Sequence, residues 1–196
     1  KSFFFEKDKI IKKANLINDQ LIINETLKFQ KGIKVYFYWF CPHYFNERDN
    51  IPNVSFAFPI NEDYRSKKGI KFNVSIDELK KYWRIYVHDN FLFGITDNEN
   101  SSTFRRYQSD SEEYLERNEL PKLFNQLVIF NNWIFYLPEK GDLISVNMND
   151  LSYEIMKTNL GKWSNIVEID ENGMVNVQTN WHKPVHLHTA KLPKNY

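Results

Sequence analysis

Three of the five histidines of this 196-residue chain stand close together near its end, at positions 182, 186 and 188. His186 and His188 are two residues apart, so on a strand both imidazoles project from the same face. A bend at Pro184 would bring His182 to the pair, and zinc sites use three or four nitrogen, sulfur or oxygen ligands. The pattern predicts either a metal site of His182, His186 and His188, suited to a metal-dependent hydrolase, or a polar strand whose histidines face solvent.

A second pattern, Cys41-Pro42-His43, places a thiol two residues from a base, as a nucleophilic enzyme would require. Such a thiol must also be exposed and polarised by a positive environment. Cys41 instead follows a strongly apolar run, and an unpaired cysteine in that setting is typically a small buried hydrophobe. We therefore expect Cys41 to be structural, and we assign no catalytic residue.

Acidic residues are concentrated in residues 110–119, where Arg117 is the only cation. They form either a solvated helix face or a negative patch that guides a basic partner. Near residue 80, aromatic side chains follow two lysines, and such side chains anchor protein interfaces or stack on single-stranded nucleic acid. The predicted partner-binding residues are Asp110, Glu112, Glu113, Glu116, Glu119, Tyr82 and Trp83.

The overall charge and the missing motifs narrow the function classes. The formal net charge is +1, which lacks the basic field of a nucleic-acid binder, so nucleic acid is not the expected partner. The sequence contains no phosphate-binding glycine loop, no dinucleotide fingerprint, no nucleophile elbow and no zinc-protease motif. We therefore lean away from an enzyme and expect no cofactor.

The elements that position these residues are expected to be short strands in one domain, residues 1–196. The chain has 16 Phe, 11 Tyr and 5 Trp, which is enough apolar material for a packed core. It also has 23 Asn, a residue that favours turns, and many turns indicate many short strands. One cysteine allows no intramolecular disulfide, and no apolar run is long enough to span a membrane, so we expect a cytoplasmic protein.

Five apolar runs led by asparagine recur along the chain. They begin at Asn18, Asn53, Asn90, Asn132 and Asn172, which are 35, 37, 42 and 40 residues apart. Spacings of about 40 residues with several strands in each are typical of β-propeller blades. We therefore predict a mainly β fold with antiparallel strands in about five repeats of roughly 40 residues, as in a small β-propeller.

The fourth of these units is the clearest. In residues 131–157, an apolar strand is followed by a turn containing Gly141, an alternating strand, an Asn-Asp turn and a third strand. This segment resembles a blade of the quinoprotein-type β-propeller family, although it lacks the usual Thr-Gly turn and the tryptophan that closes the blade. The resemblance implies a fold and implies nothing about a quinone cofactor.

Other segments favour an α+β fold with a twisted antiparallel sheet and two or three helices. Ser75 and Glu78 form a capping-box pattern that predicts a helix over residues 76–84. The acidic residues 109–118 also suggest a helix, because negative charge near its start complements the helix dipole. Residues 33–40, which are β-branched and aromatic, predict a central strand.

The function that best fits this profile is a protein-binding module that occludes a partner. Its concrete form would be an immunity protein that neutralises a cognate bacterial toxin. Two alternatives remain at this stage: the metal-dependent hydrolase and a carbohydrate- or ligand-binding β-propeller.

Overall fold

The structure is a computed structural model. It describes residues 2–7, 10–17, 20–28, 34–37, 41, 43–47, 51, 53–60, 68–123, 126–138, 142–158, 165–179, 186–193 and 196. Most of these residues lie in strands. The strands are β1 (Ser2–Lys7), β2 (Ile10–Ile17), β3 (Gln20–Lys28), β4 (Lys34–Phe37), β5 (His43–Glu47), β6 (Ser55–Pro59), β7 (Ile70–Phe72), β8 (Arg84–His88), β9 (Phe91–Asp97), β10 (Ser101–Gln108), β11 (Tyr114–Pro121), β12 (Val128–Phe130), β13 (Trp133–Tyr136), β14 (Leu143–Asn147), β15 (Tyr153–Met156), β16 (Asn165–Ile169), β17 (Met174–Thr179) and β18 (His186–Lys191).

Within the described residues these strands form five sheets, and each sheet uses strands that are consecutive in sequence. The orders are β1-β2-β3, β4-β5-β6-β7, β8-β9-β10-β11, β12-β13-β14-β15 and β16-β17-β18. The pairing is antiparallel, as between β13 and β14 or between β17 and β18. The prediction of a mainly β, antiparallel fold is confirmed.

The predicted α+β alternative is wrong, because helix in the described part of the chain is confined to α1 (Ile76–Leu79). That helix begins as the capping box predicts, since the Ser75 hydroxyl accepts the Glu78 N–H at 3.0 Å. It ends well before residue 84, because the Trp83 N–H bonds to the Ile95 carbonyl at 2.8 Å and β8 starts at the next residue. No helix of the described residues is long and apolar enough to cross a membrane.

The helix predicted over residues 109–118 is also wrong. The Asp110 backbone is left-handed, with φ of 58°, and its N–H bonds to the Lys71 carbonyl at 3.2 Å. The Ser109 N–H likewise bonds to the Asn90 carbonyl at 2.8 Å. These bonds to distant parts of the chain hold a turn, after which the backbone extends into β11, so tertiary pairing overrides the helix preference of the acidic residues.

Each of the five predicted asparagine-led runs contains a strand, namely β3, β6, β9, β13 and β17 in turn. The prediction that residues 33–40 form a central strand is wrong in position, because β4 stands at the edge of its sheet. Residues 33 and 38–40 lie outside the described residues. Both faces of β4 still meet apolar side chains, because Val35 and Tyr36 pack against different clusters, which explains its unbroken apolar sequence.

The chain divides into two compact units. Unit 1 comprises Lys1–Thr96 and Arg105–Tyr114, and unit 2 comprises Asp97–Phe104 and Leu115–Tyr196. The main cluster of unit 1 is formed by Cys41, Phe45, Ala57, Phe72, Val74, Ile76, Leu79, Tyr82, Ile85, Val87, Leu92 and Tyr107. A core cluster of unit 2 is formed by Phe135, Leu137, Leu143, Ile166, Val175, Val177 and Leu192.

Candidate functional site

A cluster of aromatic and charged side chains lies on unit 1, and we call Glu78, Tyr82, Arg105, Tyr107 and Tyr114 the tyrosine–arginine cluster. Arg105 is at its centre, because one guanidinium nitrogen donates to the Glu78 carboxylate at 2.9 Å and to the Tyr82 hydroxyl at 3.0 Å. The Tyr82 and Tyr107 hydroxyl oxygens are 2.6 Å apart and share a hydrogen bond. The Arg105 guanidinium also lies 4.7 Å from the ring centre of Tyr114, a cation–π distance.

Local structure explains how these side chains meet. The N-cap of α1 fixes the helix, and the turn after it carries Tyr82 into the core while Glu78 stays at the surface. Arg105 and Tyr107 are two residues apart on β10, so both project from the same face of that strand. The helix and the turn after it therefore supply Glu78 and Tyr82, β10 supplies two further members, and the start of β11 supplies Tyr114.

The electrostatics of the cluster favour an anionic Glu78 and a neutral Tyr82. The pKa of Glu78 is lowered, first by the hydrogen bond from Lys81 and then by the charges of Lys81 and Arg105, against a smaller opposing effect of burial. Burial raises the pKa of Tyr82, and its hydrogen bond with Tyr107 raises it further. Tyr82 therefore stays protonated near neutral pH and is unsuited to act as a base or a nucleophile.

Aromatic side chains at the surface of unit 1 are available to a partner. The Trp83 side chain is 50% exposed and the Arg84 guanidinium lies 4.3 Å from its ring centre. Tyr114 is also 50% exposed, and it packs on Arg105 and on the ring of Tyr107 at 5.5 Å. Tyr82, which we also predicted as a contact residue, is only 6% exposed. It instead holds Tyr107 and Arg105 in place through its hydroxyl group.

The predicted acidic residues lie on an exposed stretch of chain, which we call the acidic segment (residues 110–119). Asp110 stands in the turn and pairs with Lys71 at 3.9 Å, and the Asn73 side chain secures the turn by donating to the Ser111 carbonyl at 2.5 Å. All five carboxylates of the segment belong to exposed residues, namely Asp110, Glu112, Glu113, Glu116 and Glu119. From Tyr114 to Glu119 every residue of β11 is exposed, so both faces of this strand are open to solvent.

Three members of the cluster, Arg105, Tyr107 and Tyr114, were not predicted from the sequence. Arg105 bonds to residues 23 and 27 positions away, and no local spacing indicates such a contact. Tyr114 offered a signal, because it is the aromatic residue inside the acidic stretch. We had interpreted that stretch as a helix face, and its strand geometry changes which side chains it presents.

Two of the three predicted metal ligands lie on a described strand. His186 and His188 lie on β18, paired with Thr179 and Val177 of β17, and His182 lies outside the described residues. Among the residues that are described, no group of three or more His, Cys, Asp or Glu side chains could hold a metal ion. The metal site at His182, His186 and His188 therefore stays a prediction.

Cys41 is placed as expected for a structural residue. Its side chain belongs to the main cluster of unit 1 and is almost fully buried. Burial raises the pKa of the thiol to about 12, in spite of backbone hydrogen bonds from His43 and Val87. The thiolate is therefore absent near neutral pH, which argues against nucleophilic chemistry at Cys41.

The ion pairs of Glu78 lead to a pH-dependent stability. We expect Glu78→Gln to lower the free energy of unfolding by about 1 kcal/mol at pH 7, since partly exposed pairs contribute modestly. The folded-state pKa of Glu78 lies below its ordinary value of 4.5, so this stabilisation is present above pH 4.5 and is lost as the pH falls through the folded pKa. Urea titrations of both proteins at pH 7 and at about pH 3 test this. A difference that is equal at the two pH values would contradict it.

No protein-family model matches the chain, and no curated protein matches its sequence. A functional assignment therefore depends on the chemistry of the surfaces described above. Of these, the acidic segment and the exposed aromatic residues of unit 1 are the features most suited to recognition of another molecule.

Proposed function

We propose that this protein is a protein-binding module that occludes part of a partner, and that it acts as an immunity protein against a bacterial toxin. The observation that carries the proposal is that every residue of Tyr114–Glu119 is exposed, on a strand at the edge of its sheet. Edge strands offer unpaired backbone groups to another chain, and natural proteins usually keep such strands short or covered. An exposed edge of this length is suited to accept a partner's extended segment.

The charge of the acidic segment indicates the chemistry of the partner. Residues 110–119 carry five carboxylates and one cation, Arg117, whose guanidinium lies 5.4 Å from the Tyr153 ring. A partner with a basic surface would be attracted to this field, which raises the rate of association more than the final affinity. A toxin that acts on nucleic acid would present such a basic surface, and the acidic segment would cover part of it.

The exposed aromatic residues supply the second element of the mechanism. Trp and Tyr are the residue types that most often dominate binding energy at interfaces. Trp83 and Tyr114 are each half exposed and are each stacked with an arginine, which restricts their motion before binding. Side chains that are already ordered lose less conformational entropy when a partner binds.

Charge reversal in the acidic segment tests the proposal, once a partner is recovered by pull-down from the native host. We expect Glu112→Lys with Glu113→Lys to slow association about ten-fold at low salt and to flatten its salt dependence, and adding Glu116→Lys to slow it further. Association rates measured by surface plasmon resonance report the effect. The matched control is Glu168→Lys with Glu171→Lys, which makes the same change in net charge at exposed positions of unit 2. Equal association rates for the two double variants would contradict this mechanism.

The fold supports a finer proposal about architecture. We infer that the five sheets are repeats of roughly 40 residues arranged as a small β-propeller. The support is that each sheet uses consecutive strands and that each contains one of the five asparagine-led runs. Propellers often bind ligands at the loops of one end, so a carbohydrate- or ligand-binding role is the second candidate function, which a glycan array tests.

We place the protein in the cytoplasm as part of this proposal. A single cysteine provides no intramolecular disulfide, and secreted domains often depend on disulfides. An immunity protein that meets its toxin inside the cell would need none. Fractionation of the native host, followed by detection with an antibody, tests this location.

A further inference from the structure

A cleft of about 490 Å³ lies within unit 2. Small-molecule sites in proteins commonly have volumes of roughly 300–1,000 Å³ and combine an apolar lining with a few polar groups. This cleft has both kinds of lining. Its charged residues are Glu99, Lys122 and Asp142, and its apolar walls include Pro121, Ile144 and Ile155.

Lys122 is the one cation among the described residues that line the cleft, and it retains hydrogen-bonding capacity. The Lys122 ammonium donates one hydrogen bond, to the Glu99 carbonyl oxygen at 3.1 Å. An ammonium group has three donors, so two N–H groups remain for an anionic group of a ligand. The bond to the backbone also restrains the lysine side chain, which holds the charge at the cleft.

The two carboxylates provide the opposite charge. One oxygen of Asp142 accepts the Thr158 N–H at 3.3 Å, which orients the carboxylate and leaves its second oxygen available. Glu99, an exposed acidic residue, also lines the cleft. Among the described lining residues there are therefore one basic and two acidic residues, a set that suits a ligand bearing one anionic and one cationic group.

One apolar residue of the cleft, Ile155, is exposed to solvent. Ile144 and Ile155 are direct neighbours across β14 and β15, so their side chains lie on the same face of that sheet. Ile144 is buried, whereas Ile155 is 52% exposed, the largest exposed fraction among the large hydrophobic side chains that are described. An aliphatic group in the cleft would remove part of the Ile155 surface from water, which is favourable.

We propose that this cleft binds a free α-amino acid with an aliphatic side chain. The ligand carboxylate contacts Lys122, its ammonium group contacts Asp142 and Glu99, and its side chain packs against Ile144 and Ile155. A charged hydrogen bond at each end of the ligand fixes its orientation. None of the residues that line the cleft is a predicted partner-binding residue, so the proposal does not depend on the protein having a toxin partner.

Calorimetric titration of the full chain with L-leucine tests the proposal. We expect saturable binding in the micromolar to millimolar range. N-acetyl-L-leucine lacks the ammonium group and L-leucinamide lacks the carboxylate, so each is expected to bind at least about ten-fold more weakly, as loss of a charge-assisted hydrogen bond implies. Absence of saturable leucine binding, or equal affinity for leucine and both analogues, would overturn the proposal.

Two variants assign the ligand's charged groups to particular residues. Lys122→Met should weaken leucine binding about ten-fold and leave leucinamide binding unchanged, since leucinamide has no carboxylate. Asp142→Asn should weaken leucine binding and leave N-acetyl-leucine binding unchanged, and it provides the same test if the first variant fails to fold. Lys157→Met, at an exposed lysine outside the cleft, is the control and should bind leucine normally. Leucine affinities that are the same in both cleft variants and the control would refute the assignment.

Discussion

Replacing Gly94 with alanine is expected to lower the free energy of unfolding by about 2–3 kcal/mol, as insertion of a methyl group into a well-packed core does. A β-carbon at Gly94 would stand 2.5 Å from Cδ2 of Tyr82 and 2.6 Å from Cε2, well inside van der Waals contact. The Tyr82 ring has little freedom to withdraw, because its hydroxyl is bonded to both Tyr107 and Arg105. The absence of a side chain at Gly94 therefore leaves the space that the Tyr82 ring of the tyrosine–arginine cluster occupies.

Urea denaturation of the wild type and the variant measures the effect. A glycine-to-alanine change without a clash would stabilise the protein slightly, since it reduces the entropy of the unfolded chain, so a large loss identifies the steric cause. The matched control is the same change in a Tyr82→Ala background. There we expect most of the additional cost to disappear, and a coupling energy near zero between the two positions would contradict the contact.

Replacing Phe135 with alanine is expected to cost about 3–5 kcal/mol, the usual range for a buried phenylalanine. Phe135 is completely buried in the core cluster of unit 2, where its ring also contacts that of Tyr196 with centres 5.5 Å apart. Truncation leaves a cavity because the pairing of β13 with β14 holds the backbone in place. The surrounding side chains can therefore fill the space only in part.

Thermal and urea unfolding of Phe135→Ala measure this loss. Ile155→Ala is the control, because its side chain is half exposed and its removal should cost less than about 1 kcal/mol. A loss as small in Phe135→Ala as in the control would contradict the packing.

We also predict that the chain unfolds as one domain, residues 1–196, so Gly94→Ala and Phe135→Ala should both shift a single transition.

Local rules succeeded where the controlling contacts are local. Ser75 and Glu78 are three residues apart, and the hydrogen bond between them forms as the capping pattern predicts. The asparagine-led runs were recognisable as strands because alternation and turn residues lie within a few positions of each other. Antiparallel sheets of consecutive strands follow from such short-range signals.

Those rules failed where contacts with residues distant in sequence determine the backbone conformation. Residues 109–118 have the composition of a helix, yet a turn forms because Asp110 bonds to the Lys71 backbone and Asn73 bonds to Ser111. β4 was expected at the centre of a sheet because of its apolar sequence. Its burial comes from side-chain packing on two faces rather than from two neighbouring strands, and composition does not distinguish these cases.

The candidate site was predictable only in part. The acidic residues and Trp83 could be proposed from the sequence because charge clusters and aromatic residues beside lysines are visible without a structure. Arg105 and Tyr107 could not, because both contact Tyr82, and that contact depends on the segment after α1 meeting β10 in space. The exposure of Tyr114 likewise depends on β11 being an edge strand.

The buried thiol of Cys41 can report local opening of the main cluster of unit 1. Because the chain has one cysteine and that side chain is enclosed in the main cluster of unit 1, a maleimide dye must wait for the fold to open before it can react. The labelling rate, compared with that of a free thiol at the same pH, measures how often this region opens under native conditions. Mass spectrometry of dye uptake would therefore follow local opening without any engineered probe.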